Sequence, residues 1–111
     1  MLEFLLSLIY GGANFIYEFI FLNVLSRENV DLLLDSLRSL YGELWEVARV
    51  NFIGSNFQRW SLIFALNSLK VALYFLASYL EHSEDPKLKL ARTITLMTIN
   101  KVDELINSLS G

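Results

Sequence analysis

The sequence predicts an all-α protein: an antiparallel four-helix bundle with up-down-up-down order. Three observations carry this reading. Apolar residues recur at three- and four-residue spacing through four successive segments. The segments have nearly equal length, and each break between them holds residues that cap or stop a helix. Short connections between helices of matched length make sequential helices antiparallel neighbours.

The first helix is expected over about residues 2–25. It is apolar and aromatic, and Gly11-Gly12 interrupts it. A glycine pair costs about 2 kcal/mol in a helix relative to alanine. Packing of a buried helix can absorb that, so a continuous or kinked helix is expected, with a separate arm over 2–10 as the variant. The second helix is expected over about residues 28–52. Val30, Leu33, Leu34, Leu37, Leu40, Tyr41, Leu44, Val47 and Ala48 form its apolar stripe. Ser26 is the expected N-cap, and Glu28 puts an acid in the first turn, where it meets the helix dipole.

Gly54 is the expected stop of the second helix, in a left-handed conformation. Ser55-Asn56-Phe57-Gln58 then reads as a capping box that opens the third helix, over about 56–81. Asp85-Pro86 pairs a capping acid with a proline at the first helical position, and opens the fourth helix over about 86–109. Leu90, Ile94, Met97, Val102, Leu105, Ile106 and Leu109 lie on one side of it. The whole chain, 1–111, reads as a single helical domain without repeats or low-complexity tracts.

Composition narrows the function. Hydrophobic residues make up 54% and charged residues 19%, with a mean hydropathy of +0.43. Soluble domains average about 25% charged, so this chain has an apolar surplus. The absence of cysteine excludes disulfides, thiolate metal sites and a cysteine nucleophile. The net charge is −3, and no basic stripe exists to neutralise phosphates, which makes nucleic acid an unlikely partner. The start, Met1-Leu2-Glu3-Phe4, carries an acid where a secretory signal carries a base. The expectation is therefore a cytoplasmic chain without a signal peptide, with a membrane location as the alternative.

No catalytic set assembles. His82 sits among Glu81, Glu84 and Asp85 in a turn, without a second ligand-bearing element. Neither a G-x-S-x-G elbow nor a phosphate-binding loop is present. Arg27, Arg38 and Arg49 share a face of the second helix. Asp31, Asp35 and Glu46 stand three or four residues from them, so the face reads as salt-bridged surface. The expectation is a protein that is not an enzyme and uses no cofactor or metal.

The apolar surplus is concentrated in the first and third helices. Each keeps one narrow polar stripe: Glu3, Ser7, Tyr10/Gly11, Asn14 and Tyr17/Glu18 in the first, and Asn67, Lys70, Tyr74, Ser78 and Glu81 in the third. A helix that is apolar nearly all round must be covered by protein or lipid. The leading expectation is a structural, adaptor or regulatory subunit that homo-oligomerises through these two helices, with Phe15, Phe19, Trp60, Phe64, Leu69, Leu73 and Leu76 at the interface. A homodimer or higher assembly is the expected partner, and another protein is a second option. Asn14, Glu18, Asn67 and Lys70 are the expected buried polar groups, with Glu18 and Lys70 the expected ion pair. The alternative is a small integral membrane protein spanning through helices one and three, since both are long enough for a span of about 20 apolar residues. Lys70 opposes that reading, because a lysine at a span's centre costs about 2.5–3.5 kcal/mol.

Overall fold

The computed structural model describes residues 2–22, 27–49 and 55–110, with no account of the side chains of 22, 27–29 and 49. Four helices make up the described chain: α1 (Leu2–Leu22), α2 (Arg27–Arg49), α3 (Asn56–Tyr79) and α4 (Pro86–Ser110). They form a compact helical bundle of about 45 × 21 × 19 Å. The expected caps Ser26 and Gly54 lie outside the described residues.

The two described helix starts follow the expected chemistry. The Gln58 backbone N–H donates to Ser55 Oγ at 3.2 Å, and the Ser55 N–H donates to Gln58 Oε1 at 2.9 Å. This reciprocal pair satisfies two amides that the first turn of α3 leaves without helical partners. At α4 the Lys87 N–H donates to Asp85 Oδ1 at 2.8 Å, with Pro86 at the first helical position. The first helix runs unbroken through Gly11-Gly12.

The two glycines occupy different surroundings. A Cβ on Gly11 would meet nothing within 4 Å, whereas one on Gly12 would meet Leu40 Cδ1 at 3.1 Å and Leu69 Cδ1 at 3.7 Å. Gly11→Ala is therefore expected to stabilise the chain by about 0.5–1 kcal/mol, the helix-propensity difference. Gly12→Ala should gain less, because the tip of Leu40 must shift. Urea midpoints at unchanged m-value measure both.

The core runs the length of the bundle. Ile9 and Ile16 from α1, Leu33, Leu37 and Leu44 from α2, five leucines of α3 and Val102 from α4 are all essentially inaccessible. Two hydroxyls lie inside it. Thr95 and Thr98 donate to the carbonyls of Ala91 and Ile94, each at 2.7 Å, so neither is left unsatisfied.

One expectation about neighbours is corrected. Going round the bundle the order is α1, α3, α4, α2. Among the described residues α3 packs closely on α1 and α4, α2 packs on α4, and α1 meets α2 only lightly. Helices α2 and α3, consecutive in sequence, stand on a diagonal. A short connection fixes that consecutive helices run in opposite directions. It does not fix adjacency: six residues reach up to about 20 Å, more than the roughly 11–14 Å diagonal of helices packed 8–10 Å apart. The bundle is thus two layers, α1/α3 and α2/α4.

Candidate functional site: the outer face of the α1/α3 layer

The layers divide the charge. Glu3, Glu18, Arg59 and Lys70 are the charged residues of α1 and α3. The α2/α4 layer carries most of the remainder and ties itself together. Lys87 Nζ reaches Asp31 Oδ1 at 2.8 Å across α2 and α4. Lys101 is only 7% exposed; its Nζ lies 3.5 Å from the centroid of the Trp45 ring and 3.0 Å from Glu104 Oε2. Of the expected arginine face, Arg38 is exposed, while the Arg27 and Arg49 side chains lie outside the described residues.

The α1/α3 layer is different. On α3 the inward positions are Leu62, Ala65, Leu66, Leu69, Ala72, Leu73, Leu76 and Ala77. The outward positions carry Phe57, Trp60, Phe64, Val71, Tyr74 and Phe75, all exposed. Helix α3 thus has two apolar stripes, and the bundle uses one. On α1 the outward positions are Glu3, Ser7, Gly11, Asn14 and Glu18, flanked by the exposed rings of Phe4, Tyr10 and Phe21. An aromatic cluster joins the two helices at one end. Tyr17 stacks on Phe21 with centroids 6.1 Å apart and meets Phe75 at 6.3 Å. Toward the other end, Leu6, Tyr10, Phe57, Trp60, Ser61 and Phe64 line an open depression.

Several expected site residues lie elsewhere. Leu69, Leu73 and Leu76 are wholly buried in the bundle core and Phe19 nearly so, which leaves no surface on them for a partner. Phe15 is half-buried and lines a groove between α1 and α2 with Leu8, Ile16 and Leu40. Trp60 and Phe64 alone of the expected set stand on the outward face. Asn14, Glu18 and Asn67 are exposed rather than buried. Their polar groups face outward because burial without partners would cost several kcal/mol each. Lys70 is half-buried, but its partner is Asp103 of α4 at 2.9 Å, not Glu18. Phe57, Val71, Tyr74 and Phe75 were not anticipated. The signal for the first three was the run 57, 60, 64, 67, 71, 74, 78, which alternates steps of three and four; Phe75 lies beside that run.

Other places offer less chemistry. His82 is exposed beside Glu81 at 3.8 Å, and among the described residues no cluster of three metal-ligating side chains occurs. A cavity of about 230 Å³ lies near the α1 and α3 N-termini, lined mainly by leucines with Arg59 at one side. It falls below the roughly 300–1,000 Å³ of small-molecule sites. Helices Leu2–Phe21 and Asn56–Tyr79 are long and apolar enough to cross a membrane, a property that core helices of soluble proteins share. No family model, curated protein or solved structure matches the chain.

Proposed function

We propose that the protein is a non-enzymatic helical interaction subunit that self-associates through the outer face of the α1/α3 layer. The observation that carries this is the second apolar stripe of α3: six large apolar side chains are exposed along its outward positions, and none of positions 57, 60, 64, 67, 71, 74 and 78 is charged. A contiguous exposed patch of this kind on a small domain marks an interaction surface. The polar stripe of α1 favours protein over lipid as the cover. Glu3, Ser7, Asn14 and Glu18 point outward, whereas polar side chains in membrane helices turn toward the bundle interior. Water and a protein partner both accommodate that stripe at less cost than acyl chains do.

The test is solution mass by light scattering, without detergent, at about 10 µM chain. The wild type is expected to be a monodisperse dimer or a small closed oligomer. Phe64→Glu, at a position 68% exposed, should keep the helical circular dichroism and the thermal midpoint while weakening association at least 100-fold. A wild type that is a stable folded monomer refutes the proposal. So does a chain recovered only in membranes after a carbonate wash.

A further inference from the structure

From the spacing and sizes along the outward stripe of α3, and resting on the self-association just proposed, we infer that α3 packs against α3 of a second copy in antiparallel orientation, with the two-fold axis at Asn67. The stripe is Phe57, Trp60, Phe64, Asn67, Val71, Tyr74 and Ser78, three heptads about 32 Å long at 1.5 Å per residue. A two-fold interface must be complementary to itself. Parallel pairing sets each residue against its own copy. The bulky Phe57, Trp60 and Phe64 then meet at one end, while Val71, Ser78 and a single aromatic, Tyr74, meet at the other. Two such helices would be held apart at one end and leave a gap at the other.

Antiparallel pairing about residue 67 evens the thickness. Trp60 falls opposite Tyr74, and Phe57 and Phe64 fall within one residue of Ser78 and Val71. Asn67 falls opposite itself. Its Nδ2 donates to the Ile63 carbonyl at 3.0 Å. The second amide hydrogen and the Oδ1 acceptor remain for the same groups of the second copy. A single asparagine in an apolar seam fixes register, because any slip buries its amide against a hydrocarbon.

The area suffices. Phe57, Trp60, Phe64, Tyr74 and Phe75 stand between 52% and 79% exposed. At about 200 Å² per full aromatic side chain these five offer roughly 650 Å². Specific complexes bury about 600–1,000 Å² per partner.

The chain has no cysteine, so single introduced thiols report geometry without background. Facing Cα atoms on helices 9–10 Å apart come within about 4.4–5.4 Å on a Cα radius of 2.3 Å, inside disulfide range. Copper-phenanthroline oxidation of Asn67→Cys is expected to give a covalent dimer. Phe57→Cys alone and Ser78→Cys alone should stay monomeric on a denaturing gel, and a mixture of the two should give the crosslinked heterodimer. Circular dichroism of each variant checks the fold; all three sites are exposed. If Phe57→Cys and Ser78→Cys each crosslink to themselves, the orientation is parallel and the inference falls. If none crosslinks while light scattering still finds a dimer, the inference falls and self-association stands. A monomeric wild type removes both.

Discussion

Leu69→Asp unfolds the chain instead of dividing an assembly. Leu69 is 0% exposed at the centre of α3. Its Cδ1 lies 3.7 Å from where a Cβ on Gly12 of α1 would sit, so it is packed beneath the neighbouring helix of its own chain. Truncation of a buried leucine to alanine costs about 3–5 kcal/mol, and an unpaired carboxylate there costs several more. A small domain has about 5–15 kcal/mol in total. The expected result is loss of most helical circular dichroism and of side-chain NMR dispersion at 25 °C. Leu69→Ala should stay folded with a urea midpoint lowered by the equivalent of about 3–5 kcal/mol. Phe64→Glu, five positions earlier on the opposite side of the same helix, should leave the fold intact. A Leu69→Asp chain that kept full helicity and a cooperative transition would show that α3 faces the other way.

That contrast locates what the sequence could and could not disclose. On α3 the period was legible and the face was not. With leucines and aromatics on both sides of the helix, hydrophobicity has no strong direction. Trp60 and Leu69 then look like equal candidates for an interface. What separates them is shape: leucines and alanines fill the interior positions of α3, while its aromatics stand outside. The capping box at Ser55 and the Asp85-Pro86 start were legible because they are local, made by residues two or three positions apart. Helix neighbours were not legible, because no local rule relates the direction of a connection to which corner of the bundle it reaches. The partner of Lys70 was missed for the same reason. Glu18 stands on α1, along with the other acid of the apolar layer, yet α4 packs on the opposite flank of α3 and supplies Asp103. A half-exposed pair of this sort is worth on the order of 1 kcal/mol. It orients the side chains without deciding the fold.

Lys101→Glu is the second large effect expected, and it concerns the charged layer. In sequence Lys101 is one base among several on an amphipathic helix. In the bundle its side chain is 9% exposed, with the ammonium seated on the face of Trp45 from α2 and bonded to Glu104. The ring face is the negative pole of the indole quadrupole. It attracts a cation by about 1–2 kcal/mol where water is partly excluded. Reversing the charge turns that attraction into repulsion, removes the partner of Glu104 and buries a carboxylate. The desolvated carboxylate and the lost ring contact together cost several kcal/mol. Lys101→Met keeps the apolar stem between α2 and α4 and leaves Glu104, which is 68% exposed, to be solvated by water. It should cost only about 1 kcal/mol. Trp45→Leu in the Lys101→Met background should then be additive with neither more nor less than its own loss of burial, whereas in the wild-type background it should also lose the cation–ring attraction. The difference between those two backgrounds, about 1 kcal/mol in a double-mutant cycle read from urea midpoints, isolates the contact from the packing around it. It should persist in 0.5 M salt, since the buried ammonium is screened less than surface charges. A zero coupling energy would mean that the stem alone holds α2 to α4 at this point, and that the ring and the ammonium merely lie close.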